Sequence, residues 1–335
     1  MKRFTKGCLI TALILFIIGA VFCGTFGMMG GFRQIDSMNR NAYGDLRFGI
    51  RRLIWGFDNW IDWDDDWDEE RWTEMSDVKN GIATESAERT NYNVNGISDI
   101  DIELGGENLI ISESDDDYIW INNNSGHYRV KYGIDGSTFK IYSTRRVRFW
   151  RNISRGSIYL YLPKDMMLDS IDLEMGAGIF DSIALEADEI SMEIGAAKVS
   201  ILGISGREVD INIGAGEAII DNIAASEATI SVGAGSISVK GMDVEDASLE
   251  VGMGNIDVAG KIGGDADIDC GMGNITMALQ GYETDHNYYL DCAMGSIRVG
   301  SNKYSGLASE RTIDNGSSSD FNVECAMGNI DISFK

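Results

Sequence analysis

Apolar and polar residues alternate with a period of two over most of the second half of the chain. Before a recurring Gly-x-Gly element, apolar positions such as Leu173 and Met175 flank polar ones such as Glu174. The alternation resumes after the element, as at Ile256 and Val258. Because strand side chains point alternately to two faces, this pattern predicts short β-strands with one face in a core and the other in water.

The unit that contains this alternation recurs at a fixed spacing. Two late copies, centred on Met294 and Met327, follow at steps of 22 and 33 residues, but the earlier steps are all 19 residues. The first turn glycines of these earlier copies are Gly176, Gly195, Gly214, Gly233, Gly252 and Gly271. A unit this short cannot bury its own apolar face, whereas stacked copies can. The sequence therefore predicts an all-β fold, a single-stranded β-solenoid (β-helix) of about 19-residue coils, with regular repeats over residues 166–335.

Three further expectations follow from the repeat. The paired glycines should adopt positive φ at the turn. The last strand, Asn329 to Phe334, should leave an open edge unless something covers it, and an open edge invites pairing with another chain. The Gly-x-Gly elements are not nucleotide loops, because such a fingerprint occurs once, between a strand and a helix.

Residues 96–165 predict irregular N-terminal β coils that cap the core, as solenoids require. Short strands are expected at Ile100 to Leu104, Leu109 to Ser112, Tyr118 to Ile121, Tyr128 to Tyr132 and Phe139 to Tyr142.

The N-terminal region predicts a membrane anchor. Residues 7–31 carry no charge and are long enough to cross a bilayer as a helix, which takes about 20 residues. A cleaved signal peptide and a buried soluble helix are the alternatives. Residues 1–6 would be a cytoplasmic tail and the C-terminal domain extracellular, in a single-pass protein of the cell membrane. Arginines and lysines flank both ends, so the positive-inside rule alone does not fix this orientation.

Residues 32–95 predict a juxtamembrane segment and an acidic stalk. Five of the seven tryptophans fall here, from Trp55 to Trp72, among many Asp and Glu residues. Indole rings favour the membrane–water boundary, so the segment either lies on the headgroups or forms a flexible acidic stalk.

The charge excludes a general nucleic-acid binder, because the formal net charge is −25. Residues 156–300 hold 25 acidic and 6 basic residues. One acidic column repeats every 19 residues, and its repulsion should favour bound cations or a splayed corner. Its members are Glu189, Glu208, Glu227, Asp246 and Asp265.

A basic arm interrupts this acidic chain between residues 140 and 155. Guanidinium groups beside an aromatic ring suit anionic polymers or lipid headgroups. The arm either contacts such envelope material or pairs with the protein's own carboxylates. The candidate contact residues are Arg145, Arg146, Arg148, Trp150, Arg151 and Arg155.

Other chemistry-bearing residues are few. Cys270, Cys292 and Cys325 fall in the inward column, where they are either core thiols or partners in one disulfide with a leftover thiol. His127 and His286 lie in loop-like sequence and are expected to be solvated. No metal, cofactor or catalytic group is predicted from these residues.

A strand ending in Leu-Pro, Ser157 to Lys164, followed directly by Gly-Ala-Gly coils, resembles the putative-adhesin family of β-strand-repeat proteins. The resemblance covers residues 95–335. That family, of unknown function, membrane-anchored and common in Gram-positive bacteria, implies a β-solenoid displayed on the cell envelope, and it offers no catalytic motif to transfer.

These observations favour a non-enzymatic, adhesin-like envelope module that contacts wall polymer, a cell surface or a partner protein. One alternative is an accessory or sensor component of an envelope-stress system, acting through a membrane partner. The other is a carbohydrate-active β-helix enzyme, which would need acidic and basic groups converging on one groove.

Overall fold

A computed structural model describes residues 76–81, 89–124, 130–143, 156–164, 166–305 and 309–335. In these residues the regular structure is β-strand, apart from a short 3-10 helix at Glu283–Asp285. The all-β prediction is therefore confirmed. The strands before the regular repeats are β1 Ser76–Gly81, β2 Arg89–Asn93, β3 Asp99–Leu104, β4 Asn108–Ser114, β5 Tyr118–Asn124, β6 Val130–Asp135, β7 Thr138–Ser143 and β8 Ser157–Pro163.

The repeats form thirteen more strands within the described ranges. They are β9 Ser170–Glu186, β10 Glu189–Ile213, β11 Glu217–Val232, β12 Ser236–Val251, β13 Asn255–Ile262, β14 Ala266–Cys270, β15 Asn274–Leu279, β16 Asn287–Cys292, β17 Ser296–Val299, β18 Asn302–Ser305, β19 Ser309–Ile313, β20 Asp320–Cys325 and β21 Asn329–Phe334.

Each repeat is a rung, numbered 1 to 8 along the chain from the turn at Gly176 to the turn at 326–328. Neighbouring rungs pair in parallel with a 19-residue offset, so Met192 pairs with Leu173. The same offset pairs Ile211 with Ile230. These inward positions are at most 1% exposed, which places the alternating apolar residues in one continuous core, as the pattern predicted.

The last rungs do not stack in chain order. Strands β20 and β21 of rung 8 pair in parallel with β14 and β15 of rung 6 on one side and with β16 and β17 of rung 7 on the other. The edge considered at Asn329 to Phe334 is therefore covered, since β21 lies between β15 and β17. The insertion between rungs 7 and 8 supplies the strands β18 and β19, which pair antiparallel with β17 and β16 of rung 7.

The N-terminal end of the stack divides into two branches. Strands β3 and β4 pair in parallel with β9 and form a further rung beneath rung 1. Strands β7 and β8 continue below them in parallel, and β6 and β5 then pair antiparallel with β7 and β8. The outermost pairings bring β1 to β6 and β2 to β5. Between the branches, Phe139 is fully buried and meets Tyr92 edge-on, with ring centroids 5.1 Å apart.

Several predicted segments fall partly or wholly outside the described residues. The tail 1–6, the transmembrane helix 7–31 and most of the stalk 32–95 are among them. Strands β1 and β2 lie at the C-terminal end of the predicted stalk, so that part belongs to the sheet. Within the described ranges there is no helix long and apolar enough to span a bilayer.

Candidate functional site

The turns form one edge of the stack, and close backbone approach explains their glycines. A Cβ built on Gly235 would lie 2.2 Å from the carbonyl oxygen of Gly216 in the neighbouring rung. At Gly233 the corresponding distance, to the Gly214 oxygen, is 2.9 Å. Among the described turn glycines, positive φ occurs at Gly178. The expectation of positive φ throughout the turns is therefore wrong, because the neighbouring carbonyl, rather than local dihedral strain, excludes a side chain.

The middle residue of each turn points outward and is held in register. The Met253 amide donates to the Gly233 oxygen at 2.7 Å, and the Met272 amide donates to the Gly252 oxygen at the same distance. In rungs 1 to 4 this position is alanine, whereas in the last four rungs it is methionine. The exposed fractions are 63% for Met253, 54% for Met272, 51% for Met327 and 62% for Met294, in the order in which the rungs stack. We call these four side chains the methionine ladder.

An acidic column lies on the strands just before the turns. It has a lower group in which Glu103 pairs with Glu174 and Glu174 with Glu193. Its upper group runs in stacking order through Glu250, Asp269, Glu324 and Asp291. Asn212 and Ser231 occupy the rungs between the two groups.

This column shifts the ionisation of its members. Desolvation raises the pKa of Asp269 to about 7, and repulsion from Glu324 and Glu250 adds to it. The pKa of Glu174 is also raised to about 7, by desolvation among its neighbours and then by repulsion from Glu103 and Glu193, although its side chain keeps contact with solvent. Because the stacked carboxylates are desolvated and repel one another, the ionisation of each depends on the charge of its neighbours.

A second acidic column is the one predicted from the 19-residue spacing, from Glu189 to Asp265, and its members do lie on successive rungs. Other groups of the protein compensate part of its charge. The Arg207 guanidinium forms ion pairs with Asp188, Glu189 and Glu208. Higher in this second column, carboxylates accept hydrogen bonds from backbone amides of the next rung. The Asp265 amide donates to the Asp246 carboxylate at 2.7 Å, and the Asp320 amide donates to the Asp265 carboxylate at 2.8 Å. Cation binding to this column stays a prediction.

The three C-terminal cysteines are brought together on adjacent rungs. Cys270 pairs with Cys325, and Cys325 pairs with Cys292. All three are free thiols and are at most 3% exposed. The Cys270 thiol donates to the Gly273 carbonyl oxygen at 3.1 Å. Desolvation raises the pKa of Cys325 to about 12 and also raises that of Cys270, so both remain neutral thiols. They serve as core residues here, and disulfide formation stays a prediction.

His286 is buried, so the solvated side chain predicted from its loop-like sequence is wrong. Its ring is 5% exposed and stacks on Phe321, with centroids 4.1 Å apart. Burial lowers its pKa and favours the neutral ring. Its Nδ1 lies 2.7 Å from the Ser319 hydroxyl, which in turn donates to the Gly264 carbonyl. With the hydroxyl proton directed to a carbonyl, the imidazole is the donor to Ser319 and does not act as its base.

Other predicted residues lie outside the described ranges. Arg145, Arg146, Arg148, Trp150, Arg151 and Arg155 are among them, as is His127. The contact of the basic arm with anionic envelope material stays a prediction. The methionine ladder and the paired carboxylates before the turns were not singled out from the sequence. Their signal was present, since both recur at the 19-residue spacing that revealed the rungs.

Comparison with known proteins gives one family. The family model described as Toastrack DUF4097 matches residues 97–333. No curated protein matches the chain. Among solved structures, a "putative adhesin" from Bacteroides fragilis is 15% identical with a TM-score of 0.45, over 75% of this chain and 99% of that chain. A "putative lipid binding protein" from Parabacteroides distasonis is 17% identical with a TM-score of 0.43, over 72% and 96%. Likeness at this level does not indicate function.

Proposed function

The chain belongs to the Toastrack DUF4097 family, and from that premise we propose that it is a non-enzymatic, adhesin-like module of the cell-envelope surface. Its repeats would form a single-stranded β-solenoid that presents a repetitive face to wall polymer, another cell surface or a partner protein. Residues 7–31 would anchor it in the cell membrane, with the repeats outside.

The observation that carries this proposal is the register of the outward side chains. Each outward position before the turn repeats on the next rung, as Asp172 does with Ser191 and Glu174 with Glu193. Adjacent strands lie about 4.8 Å apart, so eight rungs present their side chains at a constant interval over about 35 Å. A surface with one repeated spacing suits a partner that is itself periodic or extended.

The distribution of charge also favours contact over catalysis. A carbohydrate-active site needs a general acid and a general base or nucleophile, often two carboxyl groups, that converge on one scissile bond in a groove. In the described residues, the carboxylates before the turns instead run along columns, and Arg207 is committed to three carboxylates of its own chain. In the described residues, the carboxylates before the turns are therefore distributed over many rungs and are not gathered with basic groups at one point.

The test is binding of the purified full chain, in detergent, to isolated cell envelopes, with recovered material identified. Two variants neutralise three carboxyl groups each, on different strands of the rungs. The first, before the turns, combines Asp172→Asn, Glu174→Gln and Glu193→Gln. The matched control, after the turns, combines Asp181→Asn, Glu217→Gln and Asp257→Asn.

We expect the unmodified chain to recover envelope polymer or surface protein, and only the first variant to lose most of this binding. Equal loss in both variants would show a nonspecific effect of net charge. Recovery of a membrane kinase or regulator through the N-terminal region alone would favour the envelope-stress role instead. New reducing or unsaturated ends on added polysaccharide would contradict the non-enzymatic assignment.

The anchor and its orientation have their own test. With a protease added to intact cells, an extracellular repeat domain should be cleaved or released while the cytoplasmic tail stays protected. Protection of the repeats until the cells are opened would reverse the proposed orientation.

A further inference from the structure

The methionine ladder is an exposed row of four thioethers on consecutive rungs. Each of its members is more than half exposed, and their amides make the same 2.7 Å hydrogen bond to the rung below. With rungs about 4.8 Å apart, the four Cα atoms span about 14 Å. Four large apolar side chains held in water at one corner form an unfavourable arrangement if they have no function.

The turn itself does not require methionine. Rungs 3 and 4 carry Ala215 and Ala234 at the same place, and these amides donate to the neighbouring rung at the same 2.7 Å. The turn therefore forms the same hydrogen bond with alanine and does not depend on a methionine side chain. Since the fold does not need the methionines, what they add is four sulfur atoms and flexible stems.

Thioether sulfur is a soft, uncharged ligand at every pH, and soft ligands select monovalent Cu(I) over hard divalent cations. Methionine has three rotatable side-chain bonds, so sulfur atoms from neighbouring rungs can converge on one ion. Three residues before each methionine stands a carboxylate of the upper acidic group, as Asp269 stands before Met272 and Glu324 before Met327. Those charges raise the local concentration of any cation.

We propose that the methionine ladder binds a soft monovalent cation, Cu(I) or Ag(I), through thioethers of adjacent rungs. The central pair, Met272 and Met327, supplies two ligands, and Met253 or Met294 supplies a third. The buried thiols of the cysteine column are separate from this site, because they point into the core beneath the turns. The site is independent of the envelope-contact role proposed above.

The experiment uses the full chain in detergent, in a background without cysteines, so that thiols do not compete for the metal. Cys270, Cys292 and Cys325 are replaced by Val, the residue already present at positions 232 and 251 of the same inward column. Cys8 and Cys23 are replaced by Ser. Methionines carry ¹³C at the methyl group, and Ag(I) nitrate is added in chloride-free buffer. Cu(I) is tested in parallel by competition with a Cu(I) chelator under reductant.

We expect a saturable shift of the four ladder methyl resonances, with no comparable shift at Met167, which is 91% exposed but outside the ladder. Met272→Ala combined with Met327→Ala should weaken Ag(I) and Cu(I) binding at least about tenfold, because even outer changes at metal sites cost that much. Met167→Ala is the matched control and should bind as the background does. Ala234→Met, which lengthens the ladder by one rung, should retain or increase the binding.

Three results would each overturn the proposal. The first is a shift at Met167 as large as at the ladder, which indicates nonspecific thioether binding. The second is unchanged affinity in the double alanine variant while its circular dichroism matches that of the background. The third is an equal response of the ladder to Ca²⁺ or Zn²⁺, or a response to lipid vesicles alone, which would assign the ladder to another kind of ligand.

Discussion

Replacing Gly235 with alanine tests whether the carbonyl of the neighbouring rung is what requires glycine at the turns. The new Cβ would lie 2.2 Å from the Gly216 oxygen and 2.9 Å from the Gly216 nitrogen, both backbone atoms that cannot rotate away. To make room, the two rungs must separate where the Gly235 amide donates to Gly214 at 3.1 Å and the Ser236 amide donates to Gly216 at 2.9 Å.

The expected cost follows from those two hydrogen bonds. Leaving a buried backbone group without its partner costs about 1–3 kcal/mol, so partial loss of two bonds should destabilise the chain by about 2–4 kcal/mol. Gly263→Ala is the matched control, because its nearest heavy atom, the Val244 oxygen, is 3.8 Å away and its φ is not in the positive range. At such a site alanine should be neutral or stabilise by about 0.4–1 kcal/mol through the unfolded state.

The assay is urea unfolding of the full chain in detergent, followed by far-ultraviolet circular dichroism. A lower midpoint at an unchanged slope reports lost stability. If Gly235→Ala unfolds within about 0.5 kcal/mol of the unmodified chain, close approach is not the reason for the turn glycines. Rung 2 already carries alanine at the equivalent position, Ala197, but there the residue below is Gly178, whose φ is +130°.

Three other predictions address the column residues and the core. The raised pKa of Asp269 makes the folded chain bind more protons than the unfolded chain between about pH 4 and 7, so the contribution of Asp269 to stability should fall as the pH rises through that window. Asp269→Asn should therefore flatten the plot of urea midpoint against pH. A variant whose midpoint varies with pH as the unmodified chain's does would contradict this. Alkylation of the unfolded, unreduced protein should label Cys270, Cys292 and Cys325, whereas the folded protein should protect them; a cystine peptide in the mass spectrum would disprove the free thiols. Phe321→Ala, at a fully buried position against His286, should cost about 3–5 kcal/mol in urea unfolding, compared with less than about 1 kcal/mol for the exposed Tyr282→Ala.

The sequence predicted the repeat well because period and alternation are local properties. A residue such as Ile211 is inward whatever rung lies above it, so its burial and its pairing with Ile230 follow from spacing alone. The turn chemistry was less accessible, since a glycine required by positive φ and one required by a neighbouring carbonyl look the same in a sequence.

The stacking order of the last rungs needed information of another kind. Either rung 7 or rung 8 could form backbone hydrogen bonds with rung 6, and both have the same inward apolar pattern. That pattern therefore does not decide which of the two lies beside rung 6. The outward residues do, because the Asn329 amide side chain donates to Asn274 at 3.0 Å, and that of Asn274 donates to Asn255 at 2.9 Å. Rung 7 carries Ser296 at this position and would end such an asparagine ladder, which favours rung 8 beside rung 6.

The interleaved order of rungs 6, 8 and 7 also constrains how the protein can be made. A ribosome delivers rung 7 before rung 8, yet in the described sheet β16 and β17 join β14 and β15 through β20 and β21. During synthesis, the strands of rung 7 must therefore either remain unpaired with rung 6 or pair with it first and then be displaced by rung 8. Until residues 320–334 emerge, the upper end of the growing stack offers unsatisfied amides to other nascent chains. Completion of this end of the stack is thus a late event, because the final place of rung 7 depends on strands β20 and β21.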